Sequence, residues 1–157
     1  MLSPESNWYH ASEGFVSSNE MIEFAKAHVD KGLSLHVGSD SMLYSNYCIF
    51  SCVVAVHSNK LNIANYFYQK QKKCDRRYKN LEHKIMKEVE LSIATANYIK
   101  NKIPHAEIEI HADIGDQEKN ATRFFVDSAR GWATGMGYHF KIKPDSWASS
   151  VADWHTK

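Results

Sequence analysis

Two aspartates sit at or near the ends of short runs in which apolar residues alternate. Asp40 lies in His36-Val37-Gly38-Ser39-Asp40-Ser41, and Asp113 lies in His111-Ala112-Asp113-Ile114-Gly115. If the strands that carry them are neighbours, their ends bring the two carboxylates within a few ångströms of each other. Anions that close repel unless a cation lies between them, and oxygen ligands of this kind suit Mg²⁺ or Mn²⁺. Two such ions about 4 Å apart can activate water and stabilise the leaving oxygen of a phosphodiester. The plainer reading is that each Asp only shapes a turn or caps the next element.

Further acids lie in the segment 81–100, which offers Glu82, Glu88 and Glu90. On a helical wheel Glu82 falls nearest the apolar stripe, while Glu88 (with Ser92) and Glu90 flank it on opposite borders. All three could equally form a solvated face paired with Lys84 and Lys87. Near the end of the sequence are Asp145, which reads as the N-cap region of a last helix, and Asp153.

Residues 70–79 hold six cations against one acid, a local charge of +5, and lead straight into the glutamate-bearing segment. A flexible basic arm there suits a phosphate backbone, with Tyr66, Tyr68 and Tyr78 available to stack on bases or sugars. The bland alternative is a solvated loop with the tyrosines half-buried in a strand. Other chemistries find little support. No pair among the nine histidines has a zinc-ligand spacing. His36 and His111 share strand faces with Asp40 and Asp113 and could line the same cleft, although a structural role is the simpler one. His155 is a candidate proton shuttle. There is no P-loop, Gly135-Met136-Gly137 is only a helix stop, and no Gly-x-Ser-x-Gly elbow exists. Cys74 lies among cations but has no evident histidine partner.

Net charge is +1, so any affinity for nucleic acid must come from a local patch. No apolar run approaches the roughly 20 residues that span a bilayer. Residues 1–14 have neither the basic start nor the apolar stretch of a secretory signal. The three cysteines are an odd number, and Cys48 and Cys52 on one strand face would be about 13 Å apart, too far to bridge. A reducing, cytoplasmic setting is expected. The length of 157 residues, without repeats or a Pro/Gly-rich linker, reads as one domain.

The elements that must position these side chains follow from periodicity. Residues 1–16 read as irregular. Ser17 and Glu20 form a capping box that opens a helix over 17–30, with Ile22, Ala25 and Val29 on one face and Gly32 beyond its end. A strand is expected over 33–38, then a hairpin of runs 47–57 and 61–69 about Ser58-Asn59-Lys60. A long helix over 81–100 buries Ile85, Val89, Ile93 and Ala96. After Pro104, Ile108, Ile110 and Ala112 mark one face of a strand. A helix over 120–134 buries Phe125, Ala129 and Trp132, and a strand over 138–143 leads to a last helix over 146–154. The order after the first helix, β-β-β-α-β-α-β-α, implies an antiparallel meander joined to parallel crossovers, an α/β mixed sheet with flanking helices.

This order resembles the ribonuclease H fold, and four phrases resemble the YkuK family of ribonuclease-H-like proteins. They are His36-Val37-Gly38-Ser39-Asp40-Ser41, His111-Ala112-Asp113-Ile114-Gly115, Lys119-Asn120-Ala121-Thr122-Arg123 and Lys141-Ile142-Lys143-Pro144-Asp145-Ser146-Trp147-Ala148-Ser149-Ser150. The similarity covers roughly residues 30–157. It implies a ribonuclease H-like five-stranded mixed sheet within a single domain over 1–157, with residues 1–31 an N-terminal extension carrying the extra helix. It also implies a metal site of Asp40, Glu88, Asp113 and Asp153. Glu88 is selected by the helix phrase, and Asp153 by Ser149-Ser150-Val151-Ala152-Asp153, which resembles the last-helix motif of ribonucleases H. The expected activity is Mg²⁺- or Mn²⁺-dependent hydrolysis of RNA, DNA or hybrid, with Lys70, Lys72, Lys73, Arg76 and Arg77 contacting the nucleic acid. The alternative is a catalytically inactive module of the same fold that binds nucleic acid or protein.

Overall fold

The computed structural model describes residues 3–58, 63–115 and 123–157. The strands are β1 (Trp8–His10), β2 (Gly14–Val16), β3 (Leu35–Leu43), β4 (Cys48–Ser58), β5 (Ile63–Lys73), β6 (Ile108–Ala112) and β7 (His139–Lys141). Among the described residues the helices are α1 (Ser18–Asp30), α2 (Leu81–Lys102), α3 (Arg123–Gly135) and α4 (Trp147–Asp153), with a 3₁₀ turn at Arg76–Lys79. Among the described residues one sheet holds seven strands in the order β2-β1-β5-β4-β3-β6-β7. The strands β3, β4 and β5 form the expected antiparallel meander, and β6 and β7 run parallel to β3.

The five expected strands are thus joined by two more, because residues 8–16 form a hairpin rather than irregular chain. Three-residue strands are too short to show an alternating pattern. What holds them is tertiary. Trp8 is fully buried, its Nε1 donates to Pro4 O, Gly14 turns the chain at φ +83°, and Tyr9 pairs with Tyr68 on β5. The Gln69 side chain fastens the approach to β1, donating to Ser3 O at 2.8 Å.

Strands β3 and β5 also run further than expected. β3 continues through Asp40 to Leu43, and β5 continues through Lys70 to Lys73. Their polar ends stay in the ladder because β4 pairs with both, Asp40 opposite Ser51 and Ser51 opposite Lys70. The residues expected to form a basic arm are therefore strand up to Lys73, followed by the 3₁₀ turn.

The capping box is present, with Ser17 Oγ accepting from Glu20 N at 3.1 Å and Glu20 Oε2 accepting from Ser17 N at 3.3 Å. α1 buries Met21, Ala25 and Val29, while Ile22 is only half-buried. On α2 the expected stripe of Ile85, Val89, Ile93 and Ala96 is buried together with Leu35, Val37, Cys52 and Val54 of the sheet. Each of the buried Leu, Ile and Val side chains contributes about 1.5–3 kcal/mol. α3 buries Val126, Ala129 and Ala133, whereas Phe125 is half-buried and Trp132 is exposed, both lining a groove against Met86 and Val89 of α2. The expected starts of this helix and of the second hairpin strand, and the Asn59-Lys60 turn, lie outside the described residues.

Helices α1, α2 and α3 share one core on one face of the sheet. α4 lies on the other face, packing Val151 and Ala152 on Val53 and Ala55. Its approach is close. A Cβ built on Gly38 would stand 2.6 Å from Ser149 N and 2.7 Å from Ala148 C, so β3 passes under α4 only because residue 38 has no side chain.

Candidate active site

The register Ser39↔Ala112 between parallel β3 and β6 makes Asp40 and Asp113 the next residues of adjacent strands. Alternation turns Asp40 to the α4 face with His36 and Gly38, and Ser41 to the α2 face. Glu88 reaches the same end of the sheet from α2, so three carboxylates come to it from three elements. Of the helix glutamates only Glu88 is buried, at 4% exposure. Glu82, in the first turn, is exposed, and Glu90 is exposed and paired with Lys87 at 3.4 Å.

Burial is the largest cause of the shifts at this site. It pushes the Asp40 carboxyl up to about 8, with the charges of Glu88 and Asp113 adding to it; the Ser41 backbone N–H and Lys84 oppose them. Burial likewise raises Glu88 to about 7 against the pull of Lys84 and the Ser41 hydroxyl, and Asp113 adds to the rise. Ser41 serves both acids: its N–H donates to Asp40 Oδ1 at 2.8 Å and its Oγ donates to Glu88 Oε1. Lys84 Nζ lies 3.0 Å from Ser41 Oγ and 3.5 Å from Glu88 Oε1. Asp113 is half-buried and holds Lys143 Nζ at 2.8 Å.

Asp153 ends α4, half-buried, with its Oδ1 3.4 Å from Thr156 Oγ1. The groups acting most strongly on Asp40 and Glu88 do not include it. Asp145 is exposed, and Ser146 occupies the N-cap position of α4.

Among the basic residues, Lys70, Lys72 and Arg76 are exposed, and Lys73 is half-buried. Arg77 is turned onto Asp75, 2.7 Å away. Lys70, Ser51 and Asp40 form one row across three strands, which places Lys70 on the order of 10 Å from Asp40 on the same face. Tyr66 and Tyr68 share that face. Tyr78 is unavailable for stacking, because its ring is buried edge-on against Phe50.

His36, Glu109 and His111 bring their ligand atoms within 4.8 Å of one another. The hydrogen bonds read this trio as structural. His111 Nδ1 accepts from Ala148 N at 3.0 Å, so the neutral ring carries its hydrogen on Nε2 and donates to Glu109 Oε1 at 3.2 Å. A metal at Nε2 would have to displace that hydrogen. Trp147 covers both imidazoles, with ring centroids 4.7 and 5.5 Å away. The trio thus fixes the start of α4 on the sheet. His155 is engaged with Tyr66 and Tyr68. Cys48 and Cys52 are buried thiols whose pKa burial pushes up, which leaves them inert.

Sequence reasoning did not find Ser41, Ser51 or Lys143 as site residues, and treated Lys84 only as a partner on a solvated face. Lys84, one helical turn before Glu88, carried the one available signal. Lys143 reaches Asp113 through the loop after β7, which no local pattern reveals.

A central strand carrying one buried acid, a helix carrying a second and a parallel neighbour ending in a third define a ribonuclease H-like protein. A family model described as Ribonuclease H-like matches residues 17–157, and the chain belongs to that family. It is 30% identical to the "Uncharacterized protein YkuK" of Bacillus subtilis (strain 168), with 96% of each chain covered. The YkuK resemblance read from the four phrases therefore holds along nearly the whole chain. Membership points to a function connected with nucleic acid. No described helix is long and apolar enough to cross a membrane.

Proposed function

We propose that the protein hydrolyses phosphodiester bonds of nucleic acid with Mg²⁺ or Mn²⁺, using Asp40, Glu88 and Asp113, with Asp153 completing the site from α4. The observation that carries this reading is the convergence of three carboxylates whose burial and mutual repulsion raise Asp40 and Glu88 far above the ordinary carboxylate range. Such a cluster is stabilised by a divalent cation, and an all-oxygen donor set suits Mg²⁺ or Mn²⁺ rather than a softer metal. Ser51 supports the fit: its Oγ is fully buried beside Asp40 in the sheet and has no hydrogen-bond partner among the described residues. Divalent ions there would polarise the phosphate and lower the pKa of the attacking water. Asp40 and Asp113 would hold them, Ser41 would fix the Asp40 and Glu88 carboxylates in orientation, and Lys143 would leave Asp113 when a metal arrives. Lys70, Lys72, Lys73 and Arg76 would contact the phosphate backbone. Arg77 would join them once released from Asp75.

One observation favours the second reading, a binding module without turnover. Lys84 and Lys143 already set ammonium groups against Glu88 and Asp113. Calorimetric titration of Mn²⁺ into wild type and Asp113→Asn, followed by a cleavage panel of labelled single strands, duplexes and hybrids, separates the two. Metal binding and cleavage in wild type alone support the nuclease. Nucleic-acid binding that survives Asp113→Asn, with a blank cleavage panel, supports the binding module.

A further inference from the structure

The α4 face of the sheet carries a strip of rings that the carboxylate site does not use. Phe15 of β2, Tyr9 of β1 and Tyr68 of β5 are paired across neighbouring strands and follow one another along it. Tyr9 stacks on Tyr68 at 5.5 Å and Phe15 sets its edge to Tyr9 at 5.6 Å. His155 stacks on Tyr68 at 3.6 Å, and its Nε2 lies 3.0 Å from Tyr66 Oη. Trp154 meets Tyr66 edge-on at 6.3 Å.

The inner rings fix one another, while the outer ones face solvent: Phe15 is 63% exposed, Trp154 62% and Tyr9 43%. Exposed rings held on a rigid support can stack with little further loss of side-chain freedom. Charge of the matching sign continues the strip. Tyr66, Tyr68, Lys70 and Lys72 alternate onto the same face of β5, and Lys70 stands in the row of Ser51 and Asp40.

We propose that this aromatic and basic strip binds an unpaired strand of RNA or DNA and leads its backbone to the Asp40 row, an inference that rests on the nucleic-acid reading above. Only unpaired nucleotides offer their base faces to side-chain rings, and stacking on rings is tolerant of sequence. The rings take bases, and the phosphates that follow draw Lys70 from the Lys157 carbonyl and Lys72 from the face of Tyr47. A duplex, whose base faces are stacked inside, meets only the lysines. Phe15 comes from the N-terminal hairpin and Trp154 from the residues after α4, so the two extremes of the chain together select the unpaired strand.

The test is fluorescence anisotropy in EDTA with labelled oligo-dT and oligo-U of about 12 nucleotides and a duplex of equal length. Wild type binds the single strands about tenfold more tightly than the duplex. Phe15→Ala and Trp154→Ala each weaken single-strand binding about tenfold and leave duplex binding unchanged. Both rings are exposed, so a melting curve matching wild type confirms that the variants fold. Lys72→Gln weakens both ligands and lowers the salt slope by about one. Equal wild-type affinity for duplex and single strand overturns the proposal. So does unchanged single-strand affinity in the doubly substituted protein, which would mark the strip as a protein-docking face. Ring-dependent binding of a single strand that is never cleaved supports the strip and sinks the nuclease. Cleavage of duplex or hybrid with no preference for unpaired strands does the reverse.

Discussion

Replacing Asp40 by Asn should make the metal-free protein more stable, and increasingly so as the pH rises. Asp40 is raised from its ordinary 3.8 to about 8, chiefly by burial and then by Glu88 and Asp113. The folded protein therefore holds a proton on this carboxyl that the unfolded chain releases. The associated stability is complete below pH 3.8 and is lost progressively as pH rises toward about 8. At about 1.36 kcal/mol per pKa unit, the roughly three units between the unfolded value and pH 7 set a ceiling of about 4 kcal/mol. Water reaching the site and sharing of the charge with Glu88 bring the expected figure to about 2–3 kcal/mol. Asn keeps an oxygen for the Ser41 N–H, which donates to Asp40 Oδ1 at 2.8 Å, and carries no charge to bury. In EDTA the variant should melt about 5–10 °C above wild type at pH 7, with little difference at pH 4. Saturating Mn²⁺ should raise wild type and close the gap, since it binds only the folded state. Differential scanning fluorimetry across this pH range, with and without Mn²⁺, measures all of it. A variant that melts below wild type at pH 7, or parallel pH curves, would refute the electrostatic account of the cluster.

Gly38→Ala would drive a methyl into the backbone of Ala148 and Ser149. A loss of about 3 kcal/mol in urea unfolding is expected, together with reduced nucleic-acid binding as α4 shifts. Burial holds His111 below the usual histidine value, so the unfolded chain takes up a proton first as pH falls. Stability should fall as the pH drops below about 6.5, and His111→Asn should flatten that slope in melting curves between pH 7 and 5. Lys143→Gln removes a half-exposed ion pair and should change stability by less than about 1 kcal/mol. Its Mn²⁺ affinity by calorimetry should rise, and a fall would show that Lys143 supports the metal site instead of competing for it.

The parts of the fold written in local pattern were legible in the sequence. Ser17 and Glu20 announced α1, the 3.6-residue stripe from Ile85 to Ala96 announced α2, and Ile108, Ile110 and Ala112 announced β6. The order of elements then made Asp40 and Asp113 neighbours. What escaped was decided by tertiary partners. Residues 8–16 become strands because Trp8 has a core to enter and β5 has an edge to offer. The polar pair Asp40-Ser41 with the residues up to Leu43, and the polar run from Lys70 to Lys73, remain strand because β4 lies between them. A helical wheel could not choose Glu88 over Glu82, since both lie at or near the apolar stripe. The choice follows from where β3 lies beneath the helix, which sets Ser41 against Glu88 and leaves the first turn outside.

The sheet ends on both sides in strands of three residues, β2 and β7. A growing cross-chain ladder needs a long row of open N–H and C=O groups, and neither margin provides one. The eleven-residue β5 would have provided such a row, and the N-terminal hairpin covers part of it. The hairpin therefore acts as a guard against self-association through the sheet. Beyond that cover the edge continues in Lys70, Lys72 and Lys73, and lysine charge on an edge strand disfavours its pairing with the same strand of another copy.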